Sequence, residues 1–248
     1  MDFKGKTVIV TGAGGGIGEG YAKACAAQGM NVVIAELAEE GGRRVAGEIE
    51  AEGGRALFVK TDVGDEQSAR DCVAAAVEVF GGVDYLINNA AIFGDMKIQG
   101  YLDVDMDYLE KFMRINAHGA LIMTRAVVDA MTAAGGGAII NQSSTAAWMG
   151  VGYYGVAKLA LNGITQSLAR ELGPRNIRIN AIAPGPTDTG ALQKTSGDYA
   201  QEMIKTMPLG RLGQPSDMAD AALFLLSDQS SWITGQIINV DGGQIMRP

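Results

Sequence analysis

Seven short, nearly continuous apolar runs alternate along this chain with longer amphipathic ones, and that rhythm limits the fold more than any other feature. The runs are Thr7–Gly12, Asn31–Glu36, Ala56–Asp62, Asp84–Ala90, Gly137–Ser143, Ile177–Pro184 and Gln236–Gly242. Strands apolar on both faces need cover on both faces. Successive strands joined through helices run parallel, with right-handed crossovers. Helical patterns lie between them at Ile17–Gln28, Ala38–Glu52, Glu66–Phe80, Met106–Ala133, Tyr153–Gly173 and Ser216–Leu226. The expected fold class is α/β: a doubly wound, seven-stranded parallel sheet flanked by helices on both faces. With 248 residues, 47% of them hydrophobic, residues 1–248 suffice for one such core and one domain.

Local signals set several boundaries. Asp65 and Asp105 stand where N-caps belong, and Gly173-Pro174 closes the helix that follows Tyr153. Residues 185–209 break the rhythm with Pro, Thr, Gly and Ser, then offer a short helix near Tyr199–Lys205. Long irregular stretches in compact domains are often functional, so a substrate lid is expected at about 190–207. Cys25 and Cys72 fall in helical stretches and read as buried free thiols. A net charge of −8 argues against nucleic-acid or anionic-membrane partners. No leader pattern or run of about 18 apolar residues occurs, so a soluble, cytoplasmic protein is expected.

The first strand ends in TGAGGGIG, placing Gly12, Gly16 and Gly18 in a strand-to-helix turn. Glycine there permits a tight turn and lets backbone N–H groups approach a pyrophosphate at the helix N-terminus. The second strand ends at Glu36, whose carboxylate can bind both ribose hydroxyls of NAD and repels the 2′-phosphate of NADP. No arginine or lysine follows until Arg43, which also favours NAD over NADP. Asp62 ends the third strand, where it can bond an adenine amino group or only cap the next turn. Asn88-Asn89-Ala90-Ala91 ends the fourth, with small residues against which a ribose can lie.

Residues Tyr154 to Lys158 read YGVAK. Side chains four apart share a helix face, roughly 5–6 Å apart at Cβ. An ammonium there favours the ionised phenol, so the lysine is expected to lower the tyrosine pKa toward useful pH. Such a tyrosine can exchange a proton with a substrate hydroxyl.

Together these strings resemble the short-chain dehydrogenase/reductase family: TGAGGGIG, NNAA, the asparagine of INAHG, SS at Ser143-Ser144, YGVAK and PGPTDTG at Pro184–Gly190. They follow the family's order over nearly the whole chain. The resemblance implies a Rossmann-type domain and a catalytic tetrad of Asn116, Ser144, Tyr154 and Lys158. It places the cofactor on Gly12, Gly16, Ile17, Gly18, Glu36, Asp62, Val63, Asn89, Ala90, Tyr154, Lys158, Pro184, Gly185, Thr187 and Thr189. Ser144 is preferred because relatives use the second serine, although it precedes Tyr154 by ten residues, a shorter interval than is common. Either serine can instead satisfy backbone groups at the strand end. Asn116 is expected to bend its helix and hold a water linking Lys158 to solvent.

The implied chemistry is reversible hydride transfer between NAD and a secondary alcohol or ketone, with Tyr154 as acid/base and Ser144 on the substrate oxygen. No metal is called for: His118 is the lone histidine, and no ligand set has zinc spacing. Phe93, Trp148, Met149 and Tyr153 are expected to line the substrate pocket with Met96 and the lid, which favours a hydrophobic or cyclic alcohol. One alternative is an NADPH-dependent 3-oxoacyl-thioester reductase; Glu36 weighs against it, and beyond Lys97, Lys194 and Lys205 no basic residue is placed for an acyl carrier. The other is an NAD sensor without turnover, which has no use for Tyr154 or Lys158. The family implies a homotetramer, packed through Met106–Ala133 and Tyr153–Gly173 with help from the tail GGQIMRP.

Overall fold

The computed structural model describes residues 2–196 and 199–246. Its strands are β1 Thr7–Thr11, β2 Asn31–Glu36, β3 Arg55–Lys60, β4 Tyr85–Asn88, β5 Gly137–Gln142, β6 Ile177–Pro184 and β7 Ile237–Val240. They form one sheet in the order β3-β2-β1-β4-β5-β6-β7, every neighbouring pair parallel. Successive side chains of a strand point to opposite faces, so strands β1 to β6 feed two cores. Val8, Val10, Ile34 and Ile140 meet α1 (Gly16–Ala27), α2 (Glu39–Ala51) and α9 (Pro215–Leu226). Ile9, Val33, Leu86 and Ile139 meet α3 (Glu66–Phe80), α5 (Gly119–Ala133) and α6 (Gly152–Leu172). Two apolar layers therefore explain why the strands read as unbroken hydrophobic runs.

Several boundaries fall where the local chemistry put them. Ser68 N–H donates to Asp65 Oδ1 at 2.7 Å, and Tyr108 N–H to Asp105 Oδ1 at 3.0 Å. Other expectations need correction. The stretch 106–133 is not one α-helix: α4 (Met106–Met113) passes through a π-helical turn, Arg114–His118, into α5. Such a turn inserts an extra residue at a functional position, and here it carries Asn116. Gly119 follows because a Cβ there would lie 2.8 Å from Val63 Cγ2.

Gly173 ends α6 but stays right-handed at φ −52°, and Asn176, at φ 57°, takes the left-handed position one turn later. Within residues 185–209 an additional helix, α7 (Gly190–Ser196), precedes α8 (Tyr199–Thr206). The sequence hides α7 because its Gly, Thr and Ser are weak helix formers. Thr189 Oγ1 accepts from Leu192 N–H and caps it. Gly197 and Asp198 of the expected lid, and Arg247 and Pro248 of the tail, lie outside the described residues. Among the described residues no helix is long and apolar enough to cross a membrane.

Strand order reverses between β1 and β4, and ligands of open α/β sheets bind outside the carboxyl ends at that switch point.

Candidate active site

The turn after β1 is packed too tightly for side chains. A Cβ on Gly12 would lie 2.7 Å from Ala90 Cα, and one on Gly18 only 2.1 Å from Gly12 O. Gly12 and Gly16 adopt left-handed φ values of +64° and +57°. Gly15 meets nothing within 4 Å, and Gly16 faces the Thr189 side chain across the crevice. The turn is thus closed on its inner side and open on its outer side, and α1 starts there without a side-chain cap on its first N–H groups. This is a cradle of the shape a pyrophosphate needs. Ile17, beside it, packs on the apolar core under α1. Gly18→Ala is expected to lower stability by about 2 kcal/mol through backbone overlap and to weaken dinucleotide binding. Thermal unfolding and a titration with NADH would check it, and an unchanged Tm would refute the packing account.

Glu36 reaches back to this turn. Its Oε2 accepts from Gly14 N–H at 3.0 Å and its Oε1 from Ala38 N–H at 2.9 Å, so the carboxylate is held at the carboxyl end of β2. Asp62 Oδ1 accepts from Gly64 N–H at 2.8 Å, the capping geometry left open by the sequence. Val63, beside it, is buried against Gly119, where α5 begins. Asn89 Nδ2 donates to Thr11 O and Gly12 O at 3.0 Å, and Ala90 N–H donates to Thr11 Oγ1 at the same distance. Those bonds fasten the ends of β1 and β4 together. Asn89 and Ala90 therefore form the floor of the crevice.

The two serines part company. Ser143 is buried and donates to Asn162 Oδ1 at 2.6 Å, whereas Ser144 is half-buried, accepts from Ala146 N–H at 3.1 Å as a strand-end serine can, and its hydroxyl acts to lower the Tyr154 phenol. Lys158, only 2% exposed, donates to Gln142 O at 2.7 Å, and its Nζ lies 5.8 Å from the Tyr154 ring centroid. Asn116 clamps Ile92 from both sides: Oδ1 accepts from Ile92 N–H at 2.7 Å and Nδ2 donates to Ile92 O at 3.1 Å. Its side chain is therefore occupied. Lys158, Asn116, Asn88, Gln142, Thr11 and Ala90 share the wall of a cavity of about 10 Å³, the room of roughly one water. Asn88 Oδ1 is buried there without a protein partner.

The expectation that Lys158 lowers Tyr154 is not met by the protein's own groups. Burial dominates and pushes the phenol up to about 12, with the Ser144 hydrogen bond pulling the other way. Burial also lowers the Lys158 ammonium to about 8. Desolvation penalises both charged forms, and it is the largest cause of each shift.

Around this group Phe93 stacks at a tilt on Tyr154, centroids 5.1 Å apart. Met96, half-buried, packs against the same apolar cluster as Tyr154, while Trp148 is half-buried and Met149 exposed. Tyr153 is not brought to the cleft. It lies 3% exposed among Phe112, Tyr108 and Tyr101, and its hydroxyl donates to Lys97 O. Next to Tyr154 in sequence, it points about 100° around α6 from it and sits deeper in the apolar cluster against which Tyr154 packs.

At the far wall Thr145 Oγ1 donates to Pro184 O at 3.1 Å, and a Cβ on Gly185 would meet Asp241 at 2.9 Å. Thr187 Oγ1 donates to Gly185 O at 3.0 Å, folding PGPTDTG into a compact turn. Gln142 and Arg44 escaped the sequence reading. Gln142 acts through its carbonyl, which no residue type signals, and Arg44 reaches the glycine turn only because α2 folds back.

The family model described as Enoyl-(Acyl carrier protein) reductase matches residues 12–244. An uncharacterized oxidoreductase of Mycobacterium tuberculosis (strain ATCC 25618 / H37Rv) is 55% identical over 246 residues, covering 99% of each chain. The trans-4-hydroxycyclohexanecarboxylate dehydrogenase of Sinomonas cyclohexanicum is 40% identical over 248 residues, covering 96% of this chain and 92% of the relative. A solved 7α-hydroxysteroid dehydrogenase, complexed with NADH and 7-oxo glycochenodeoxycholic acid, superposes with a TM-score of 0.91 at 35% identity, covering 99% of this chain and 96% of its own. With the cradle, the serine–tyrosine–lysine group and the fold in agreement, the chain belongs to the short-chain dehydrogenase/reductase family, as an oxidoreductase acting on CH–OH groups.

Proposed function

We propose that this protein transfers a hydride reversibly between NAD(H) and a hydrophobic or cyclic secondary alcohol or ketone, with Tyr154 as the acid/base. The observation that carries the reading is the convergence of Ser144 and Lys158 on Tyr154 at the carboxyl edge of the sheet. A bound nicotinamide supplies or accepts the hydride, and the protein supplies orientation and electrostatics. Gly12, Gly16, Ile17 and Gly18 would hold the pyrophosphate, Glu36 the adenine ribose, and Asp62 and Val63 the adenine. Asn89, Ala90, Tyr154 and Lys158 would hold the nicotinamide ribose. Pro184, Gly185, Thr187 and Thr189 would back the ring.

In the reducing direction Tyr154, a neutral phenol at physiological pH, donates its proton to the carbonyl oxygen that Ser144 also binds. In the oxidising direction the phenolate takes the hydroxyl proton, with the Lys158 charge stabilising it. Asn116 fixes Ile92 and the π turn, and with Asn88 it lines the cavity through which Lys158 can exchange a proton. Phe93, Trp148 and Met149 give an apolar mouth. That suits the cyclic alcohols named for two relatives, as does a lid at 190–207 built on α7 and α8.

A screen of secondary alcohols with NAD is expected to give turnover, and none across a broad panel would reject the reading. Titration is expected to show tighter binding of NADH than of NADPH. A second reading, reduction of an acyl thioester with NADPH, draws on the description of the matching family model. The lysines it needs are engaged. Lys97 Nζ sits 4.5 Å from the Tyr108 ring centroid, Lys194 pairs with Asp95 and Lys205 with Glu202.

A homotetramer is part of the same proposal. Val156 and Leu159 on α6 are 46% and 51% exposed, an apolar face that a second subunit would cover. Sedimentation at micromolar concentration is expected to give the mass of four chains, and a monomer would refute it.

A further inference from the structure

Glu36 is not the only charge at the glycine turn. Arg44 Nη2 donates to Gly14 O at 3.2 Å, while Glu36 accepts from the N–H of that same glycine. A cation and the ribose-binding carboxylate thus flank a single residue. Helix α2 leans so closely on the turn that a Cβ at Gly41 would lie 2.9 Å from Gly14 O.

The guanidinium is already committed elsewhere. It pairs with Glu19 Oε2 at 2.7 Å and with Glu48 Oε1 at 2.8 Å. Lys23 closes the ring, 2.6 Å from Glu19 and 2.7 Å from Glu48. Arg44 holds the Glu19 carboxyl below the usual carboxylate range. At 45% exposure its side chain is still within reach of a ligand at the turn.

We propose that Arg44 is a latent receptor for a phosphate on the adenine ribose, held off by Glu19 and Glu48. Discrimination against a 2′-phosphate is then set by this ring together with Glu36, not by Glu36 alone. The inference rests on the NAD reading above and deepens it. A planar guanidinium binds phosphate through parallel N–H bonds, but here the fork already serves two carboxylates. An incoming dianion would have to displace both and settle beside three like charges. Neutralising Glu36 removes one of those charges and leaves the ring closed.

Calorimetry with adenosine 2′,5′-bisphosphate and adenosine 5′-monophosphate reads this without turnover, with NADH as the control for dinucleotide binding. Glu36→Gln alone is expected to change the affinity ratio of the two probes less than threefold. Glu36→Gln with Glu19→Gln and Glu48→Gln is expected to raise it at least tenfold toward the bisphosphate. Adding Arg44→Met to that triple variant is expected to cancel the gain. Glu36→Gln with Glu48→Gln alone, at a surface position, is expected to give a smaller gain of the same sign should the triple variant fold poorly.

A tenfold change from Glu36→Gln alone overturns the proposal. So does a gain that survives Arg44→Met, since Lys23 or bulk charge would then account for it. Wild-type protein that binds neither NADH nor the monophosphate overturns the dinucleotide reading, and this inference with it. NADH binding that persists while the variants fail to shift the ratio overturns this inference only.

Discussion

Tyr154→Phe is expected to lower kcat by about 10³-fold while changing the Kd for NADH less than threefold, since positioned acid–base groups contribute about 10²–10⁴-fold. The exchange removes one oxygen and keeps the ring that packs on Phe93. The cradle, Glu36, the β1–β4 floor and Lys158 are untouched, so cofactor affinity should fall only by the share of the one hydroxyl contact to the nicotinamide ribose. Steady-state kinetics with an active alcohol, beside a fluorescence titration with NADH, separates the two effects. Turnover within tenfold of wild type would remove Tyr154 from the acid/base role. The phenol, pushed up to about 12 by burial, is poised as a proton donor, which sets the direction of the pH effect. Ketone reduction should hold through neutral pH, whereas alcohol oxidation should rise with pH as phenolate becomes accessible.

Lys158→Met is expected to cut activity by at least about 100-fold and yet stabilise the fold near neutral pH. A lysine buried to 2% exposure, lowered to about 8 from an ordinary 10.5, carries a cost in its charged form. That shift corresponds to about 3 kcal/mol. Losing the bond to Gln142 O returns about 1 kcal/mol. A net gain of about 2 kcal/mol is expected below pH 8.

The sign follows from proton binding. Between pH 8 and 10.5 the unfolded chain holds the lysine proton that the folded chain has released, so wild-type stability rises with pH there. The advantage of methionine should therefore shrink across that window. Denaturant melts of both proteins at pH 7 and pH 10 would show it. A Met variant less stable than wild type at pH 7 would mean the ammonium is better solvated than its burial implies.

The strands were legible because a parallel sheet buried on both faces imposes a pattern on each residue. Val8 and Ile9 must both be apolar when one faces α1 and the other α3. The caps at Asp65 and Asp105 were legible for an equally local reason, a side chain bonding an N–H three residues on. The π turn at Arg114–His118 was not. It exists because Asn116 reaches Ile92, a partner 24 residues away, and no period within the helix announces that. Tyr153 was expected to line the pocket, and its place among Phe112, Tyr108 and Tyr101 depends on segments 40 or more residues away that no local pattern announces.

The layered α/β fold, the glycine turn and the tyrosine–lysine step were readable along the chain, since they rest on spacing within a few residues or on burial repeated along a strand. The separation of Ser143, tied to Asn162, from Ser144, the rise of the Tyr154 phenol through burial and not its fall beside the ammonium, and the presence of Arg44 at the turn came only with the folded chain. All three have one cause. Each depends on what distant segments bring within a few ångströms, where desolvation and charge pairing are set.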